Sequence, residues 1–142
     1  MSQTNQICAV VLAAGKGTRM KSELPKVATL LNGKPLIRHV LDNLISSGIK
    51  DIYVVVGFKK EEVINICKPY NNIHFIEQKE QLGTGHALLC CEESLKSYKG
   101  NLLVACGEVP VFISFTFLSS SVASFSSTIC CRAPASFRIS RP

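Results

Sequence analysis

The sequence contains no Cys-x-x-Cys pair, although seven of its 142 residues are cysteine. The pairs Cys90–Cys91 and Cys130–Cys131 are adjacent, which is not the spacing of a zinc site or a disulfide framework. Cys8, Cys67 and Cys106 lie in apolar segments, where a free cysteine behaves as a small hydrophobic residue. We therefore expect reduced, buried thiols and a cytoplasmic protein.

Charged residues are also scarce, at 18% of the chain, and acidic residues are absent after Glu108. Residues 1–108 carry 13 basic and 10 acidic side chains, whereas residues 109–142 carry three arginines and no acid. The net charge of +6 is therefore divided between two regions. Because aromatic residues do not alternate with lysine or arginine, we expect no nucleic-acid partner.

The N-terminus lacks a basic leader, and its apolar run from Ile7 to Ala14 has the length of a strand, so we expect no signal peptide. A second uncharged run, Val109–Cys131, has 23 residues, which is long enough to span a membrane. Nine of the 23 are serine or threonine and one is proline, a composition that disfavours insertion. We expect no membrane association, with a membrane-attached module as the alternative.

Apolar runs and segments of helical spacing alternate along residues 7–106. The predicted strands are Ile7–Ala14, Asp51–Val56, Ile73–Ile76 and Asn101–Cys106, and the predicted helices are residues 35–47, Lys60–Lys68 and Gly83–Tyr98. Pro35 and Gly48 suit the start and the end of the first helix. The alternation predicts an α/β fold with a Rossmann-like, mainly parallel sheet and right-handed crossovers.

The composition changes after Glu108, since residues 109–142 contain nine serines and no Asp, Glu, Lys, Asn, Gln or Gly. No period of two or 3.6 persists, and the residues that favour turns are absent apart from proline and serine. We therefore predict a domain over residues 1–113. We expect the tail over residues 114–142 to be out of frame, alternatively spliced or disordered, and to lack a stable place in the sheet.

The first predicted strand leads into a loop with the sequence Leu-Ala-Ala-Gly-Lys-Gly-Thr-Arg-Met, and Leu-Pro-Lys follows shortly after. Glycine lets backbone N–H groups approach phosphate oxygens, Arg19 can bind a polyphosphate with two parallel hydrogen bonds, and Lys26 adds a compact charge. The loop is not a P-loop, because no Gly-Lys-Ser/Thr ends it. It is not a dinucleotide fingerprint either, because Gly-x-Gly-x-x-Gly fails at Met20.

The loop after the third predicted strand has the sequence Glu-Gln-Lys-Glu-Gln-Leu-Gly-Thr-Gly-His-Ala. Gly83 and Gly85 permit close backbone approach, and the amides of Gln78 and Gln81 suit the edge of a pyrimidine. His86 is a candidate general base. The alternative is a histidine that hydrogen-bonds locally, since phosphoryl-type transfer depends more on positioning and charge.

These loops resemble the nucleotide-binding segments of the sugar-nucleotide pyrophosphorylases. Residues 5–113 are most similar to the uridylyltransferase part of the bifunctional N-acetylglucosamine-1-phosphate uridylyltransferase/glucosamine-1-phosphate acetyltransferases. The resemblance implies the nucleotide-diphospho-sugar transferase fold, here as the incomplete N-terminal half of a MobA-like NTP transferase domain. It implies Arg19 and Lys26 as catalytic residues. The implied substrate-binding residues are Leu12, Ala13, Ala14, Gly15, Lys26, Gln78, Gly83, Thr84 and Gly107.

The third loop, at the end of the fourth predicted strand, reads Gly107-Glu108 where the resembling family has Gly-Asp. In that family the aspartate holds Mg²⁺, so the resemblance implies Glu108 as the metal ligand. Its side chain is one methylene longer, and Mg²⁺ requires near-ideal octahedral geometry. The alternative is a surface glutamate at a strand end.

The resemblance implies uridylyl transfer from UTP to N-acetylglucosamine 1-phosphate in the cytoplasm, with Mg²⁺, to give UDP-N-acetylglucosamine, a cell wall precursor. In the family, a later part of the domain supplies sugar contacts and a second metal ligand, and an acetyltransferase domain follows. The alternative function is therefore a catalytically incompetent fragment that at most binds nucleotide weakly. Without the C-terminal domain we expect no oligomerisation.

Overall fold

A five-stranded sheet forms the centre of the protein in a computed structural model, which describes residues 6–16, 23–98 and 101–109 and the backbone of 128–132. The elements in chain order are β1 (Ile7–Ala13), a 3-10 turn (Lys26–Ala28), β2 (Leu30–Leu31), β3 (Lys34–Pro35), α1 (Leu36–Ser46), β4 (Asp51–Val56), α2 (Lys60–Cys67), β5 (Ile73–Glu77), α3 (Thr84–Cys90), α4 (Glu92–Leu95), β6 (Asn101–Cys106) and β7 (Thr128–Arg132). The strand order is β5-β4-β1-β6-β7. All neighbouring pairs are parallel except β6 with β7, so the predicted α/β sheet is confirmed.

Strand β1 lies between β4 and β6, and Val10 pairs with Tyr53 on one side and with Val104 on the other. Helices α1 and α2 cover one face of the sheet, where Leu41 and Val63 join the buried core. Helices α3 and α4 cover the other face. Because both faces are buried, the central strands are continuous apolar runs rather than alternating ones, which is why the sequence predicted them well.

Several helix boundaries differ from the prediction, and α1 and α2 each end one residue early, at Ser46 and Cys67. Pro35 precedes α1 with an extended backbone, φ −56° and ψ 141°, so the helix begins one residue later, at Leu36. The predicted helix Gly83–Tyr98 is divided at Cys91, whose N–H donates to Leu88 O in a tighter turn than the α-helix. Gly48 ends α1 as predicted, with a positive φ of 83°.

The short antiparallel pair of β2 and β3 was not predicted. Asn32 and Gly33 connect the two strands with φ values of 51° and 77°, which most residues avoid. Asn-Gly is the strongest short-range signal for a two-residue hairpin turn, so the sequence carried the information.

The tail contributes one strand, since the backbone of β7 pairs with β6 from Asn101–Arg132 to Ala105–Thr128. The expectation that residues 114–142 have no place in the sheet is therefore wrong for these five residues. An open edge of β6 offers unpaired N–H and C=O groups, and this short segment of the tail occupies it. The rest of the tail, and with it the predicted poor packing, lies outside the described residues.

Three of the five described cysteines, Cys8, Cys67 and Cys91, are buried, whereas Cys90 and Cys106 are half-buried. Burial changes the acidity of the three buried thiols. It raises the pKa of Cys8 and of Cys91 to about 12 and that of Cys67 to about 11, so these thiols stay protonated at neutral pH. Within the described ranges, no helix is long and apolar enough to cross a membrane. Most of the uncharged run Val109–Cys131 lies outside those ranges.

Asp42 of α1 connects three segments of the fold. Its carboxylate accepts from Lys34 Nζ on β3 and, at 2.6 Å, from the hydroxyl of Tyr70, which follows α2. Burial raises the pKa of Asp42, but the hydrogen bonds from Lys34 and Tyr70 together lower it below the ordinary 3.8. The ionised carboxylate therefore stabilises the packing of α1 on its neighbours.

Tyr70→Phe is expected to lower the free energy of unfolding at neutral pH by about 1 kcal/mol, because one hydrogen bond to the carboxylate is lost. The contribution of Asp42 is present above pH 3.8 and is lost as the pH falls through its lowered folded-state pKa. The variant should lose stability from a higher pH, since that pKa moves back up. Urea unfolding between pH 2 and 7 measures both effects, and parallel curves for the two proteins would contradict the expectation.

Candidate active site

One cavity of about 290 Å³ opens at the carboxyl edge of the sheet. The residues that follow β1, β5 and β6 line it, at the point where the chain order of the parallel strands reverses beside β1. Ligands of open α/β sheets bind at this position. The described residues that line it are Leu12, Ala13, Ala14, Gly15, Lys26, Val27, Gln78, Gln81, Gly83, Thr84, Ala87, Cys106 and Glu108.

Most of the predicted site residues therefore lie together. Gly107 is different, because it is buried under the cavity and its N–H donates to Leu12 O at 2.9 Å. Arg19 lies outside the described residues. Sequence reasoning missed Val27, Ala87 and Cys106, whose apolar side chains look like ordinary core residues in the sequence.

The candidate phosphate ligand and the candidate metal ligand contact each other. Lys26 Nζ, from the 3-10 turn, lies 3.0 Å from Oε2 of Glu108, which follows β6. Glu108 is therefore within reach of the segment that follows the first loop. The two side chains are 42% and 37% exposed, and such pairs contribute about 0–1 kcal/mol to stability. Because the pair contributes little to the stability of the fold, both groups are available to a ligand.

Glu108 is the one acidic residue among the described residues that line the cavity. Within the same ranges, no group of three His, Cys, Asp or Glu residues could hold a metal ion. Mg²⁺ is commonly held by one or two carboxylates together with substrate phosphates and water. The donor set therefore fits Mg²⁺ that arrives with a polyphosphate, and Glu108 would have to leave Lys26 to bind it.

Gln78 is the buried polar residue of the site, with 4% of its surface exposed. Its backbone N–H donates to Val56 O at 2.7 Å, which extends the pairing of β4 and β5 by one residue. The amide Nε2 lies 3.1 Å from Gly83 O and 3.0 Å from His86 Nδ1. These contacts favour the interpretation of His86 as a locally hydrogen-bonded histidine over that of a general base.

The carbonyl of Ala14 connects the first loop to the segments that follow β4 and β5. It accepts from Gln81 Nε2 at 2.9 Å and from the N–H of Phe58 at 3.3 Å. Lys16 extends over the Phe58 ring, with Nζ 5.4 Å from its centroid. The amide of Gln81, a candidate contact for a pyrimidine, is therefore engaged in holding the loop.

Gly57 lies where these segments meet. A Cβ at this position would lie 3.0 Å from Ala14 Cβ and 3.1 Å from the carbonyl oxygens of Ala14 and Gln78. Two of these three neighbours are backbone atoms of the cavity wall, which cannot rotate away. A side chain at this position would therefore crowd the backbones of the segments that follow β1 and β5, and glycine lets them approach this closely.

Gly57→Ala is expected to destabilise the fold by about 1 kcal/mol or more, because the added methyl group must displace backbone. Gly85→Ala in α3 is the matched control, since a Cβ there has nothing within 4 Å. It should stabilise by about 0.5–1 kcal/mol, as alanine does over glycine in a helix. Chemical denaturation measures both. A neutral Gly57→Ala would mean that the wall yields without cost.

Comparison with known proteins extends the picture. Residues 9–114 match the MobA-like NTP transferase domain family. The bifunctional protein GlmU of Clostridium botulinum is 46% identical over 109 residues, covering 77% of this chain and 24% of the relative. The chain thus spans about a quarter of the length of that relative.

Solved structures of two transferases have a similar fold. The nucleotidyl transferase Mth528 from Methanothermobacter superposes with a TM-score of 0.63 at 26% identity, over 75% of this chain and 52% of that one. The CTP:phosphocholine cytidylyltransferase LicC from Streptococcus pneumoniae gives 0.62 at 27% identity, over 72% and 45%. With its parallel sheet and one edge cavity, the chain belongs to the MobA-like NTP transferase domain family.

Proposed function

We propose that the chain forms the nucleotide-binding part of a uridylyltransferase, which transfers a uridylyl group from UTP to N-acetylglucosamine 1-phosphate. The products are UDP-N-acetylglucosamine and pyrophosphate. The observation that carries the proposal is the meeting of the glycine-containing loop, the Lys26–Glu108 pair and the buried Gln78 in one cavity. The 46% identity to a GlmU protein supports this choice of substrates.

In this reaction a phosphate oxygen of the sugar phosphate attacks the α-phosphorus of UTP in line. The bond from that phosphorus to the bridging oxygen breaks, and pyrophosphate leaves with the electron pair. The attacking oxygen is already anionic, so no side chain has to remove a proton. The chain has to orient the two phosphates and compensate their charge.

We assign Lys26 and Arg19 to the phosphates. Glu108 would hold Mg²⁺, which supplies further neutralisation of phosphate charge when bound. Gln78, Gly83 and Thr84 are assigned to the base, and Leu12 to Gly15, with Gly107 behind them, to the nucleotide. Both substrates are soluble molecules, which fits a cytoplasmic reaction.

The alternative is a chain that binds nucleotide but does not turn over. It is favoured by one observation, namely that Glu108 is the single acidic residue among the described residues that line the cavity. The remaining sugar contacts and metal ligands would then have to come from elsewhere.

Calorimetric titration of the full chain with UTP in the presence of Mg²⁺, together with an assay of pyrophosphate release, separates these cases. Pyrophosphate release that depends on N-acetylglucosamine 1-phosphate supports the transferase. Binding of UTP without release supports the alternative. A chain that binds no nucleoside triphosphate would contradict both.

A further inference from the structure

The orientation of the Gln78 amide is fixed by its two neighbours. One atom of the amide lies 3.1 Å from Gly83 O and 3.0 Å from His86 Nδ1. A backbone carbonyl only accepts hydrogen bonds, so this atom must be the nitrogen Nε2. Its second hydrogen then points to Nδ1, which has to be the unprotonated nitrogen of the His86 ring.

The other end of the amide is open to ligand. Among the residues that the structure describes, none donates to Oε1 of Gln78. In the same part of the chain, every side-chain oxygen or nitrogen that is fully shielded from solvent has a hydrogen-bond partner, so Oε1 is not fully shielded. Oε1 therefore retains some exposed surface, and Gln78 is one of the residues that line the cavity. No described residue accepts from the N–H of Gly83, which lines the same cavity. Within the described residues, Gln78 Oε1 thus remains as an acceptor and the Gly83 N–H as a donor for a ligand.

The positions of the acceptor and the donor in the site determine whether uracil or cytosine matches them. Uracil presents the N3–H donor beside the O4 acceptor. At the same two positions cytosine presents the N3 acceptor beside the N4–H₂ donor. A glutamine that is free to rotate by 180° can present its oxygen to the N3–H of uracil or its NH₂ to the N3 acceptor of cytosine, which weakens discrimination at that position. A glutamine held in one orientation matches only one of them.

We propose that His86 is a positioning residue that holds the Gln78 amide with its oxygen toward the cavity, and so makes the site prefer a uracil nucleotide to a cytosine nucleotide. That the ligand is a pyrimidine nucleotide rests on the proposed function. The orientation itself rests on the contacts of Gln78 alone.

His86→Ala removes the acceptor beside Nε2. UTP and CTP are titrated into the full chain and its variants with Mg²⁺, and the ratio of the two affinities is compared. We expect His86→Ala to lower the preference for UTP about five-fold or more, the usual worth of one hydrogen bond. His86→Asn, whose Oδ1 can take the place of Nδ1, should retain most of the preference. His39→Ala, a histidine on α1 outside the cavity, should retain all of it.

Nitrogen-15 NMR of the histidine rings tests the orientation without any nucleotide. In the wild-type chain we expect a neutral His86 ring with the proton on Nε2, and an ordered Gln78 side-chain NH₂ that becomes mobile in His86→Ala. A proton on Nδ1 overturns the proposal, as does an unchanged UTP preference in a folded His86→Ala. If no nucleotide binds but the ring and amide behave as expected, the proposed function fails while the positioning role stands.

Discussion

Replacing Lys26 with methionine is expected to weaken UTP binding by about 10- to 150-fold, because a hydrogen bond from a charged donor to phosphate contributes about 1.5–3 kcal/mol. Methionine preserves most of the length of the side chain and removes the charge. Stability should change by less than about 1 kcal/mol, since Lys26 is 42% exposed and its ion pair with Glu108 is a surface pair. A large effect on binding without an effect on folding would identify Lys26 as a residue of the site.

Calorimetric titration and thermal unfolding of the same samples measure the two quantities. Lys50→Met is the matched control, because Lys50 is exposed beyond the end of α1 and is not a cavity residue. It changes the net charge equally, so any general loss of electrostatic attraction appears in both variants. Equal weakening by Lys26→Met and Lys50→Met would show that Lys26 makes no specific phosphate contact.

Glu108→Asp is expected to raise turnover by about ten-fold or more when the chain is joined to the remaining part of its relatives' domain, which corresponds to about 1.4 kcal/mol in the barrier. With the longer glutamate, Oε2 reaches Lys26 Nζ at 3.0 Å. An aspartate at this position, one methylene shorter, would release Lys26 to the phosphates. It would also be the residue that would hold Mg²⁺ in place of Glu108, with a shorter and less flexible side chain.

The Mg²⁺ dependence of turnover is the second measurement. The aspartate variant should saturate at a lower Mg²⁺ concentration, and Glu108→Gln should lose activity because the amide cannot replace the anionic ligand. Glu80→Asp, at an exposed position of the second loop, controls for shortening a glutamate. Equal turnover and equal Mg²⁺ dependence with Glu108 and Asp at this position would show that the longer side chain is harmless.

The sheet could be predicted from the sequence because its strands are bounded apolar runs. Strands β4 and β6 have the predicted limits, Asp51–Val56 and Asn101–Cys106. Burial on both faces demands apolar residues at every position of a central strand, so local composition is enough to find it. Strand β7 escaped prediction because an edge strand depends on the neighbour it joins more than on its own pattern.

The position of three polar residues of the site was predictable, but their contacts with one another were not. Motifs single out Lys26, Gln78 and Glu108 in segments that follow predicted strands, and parallel strands end at the same sheet edge. That Lys26 would pair with Glu108, and Gln78 with His86, depends on the path of each loop and on side-chain rotamers. Neither is encoded in residue spacing. The same holds for Gly57, whose importance appears only when the backbones of two loops come together.

Because β1 lies in the centre of the sheet, its two neighbouring strands leave the ribosome at different times. Among the described strands of the sheet, Ile7 is on the earliest to be synthesised, and its partner Asn101 is on the last of the parallel ones. At roughly 5–20 residues per second, about 5–20 seconds separate the two events. During this interval β1 can pair with β4 on one side. The amides and carbonyls of its other edge are then free to pair with a strand of another molecule. The nascent chain is therefore most exposed to aggregation just before β6 emerges, and a trigger-factor-like chaperone that shields β1 should improve its yield.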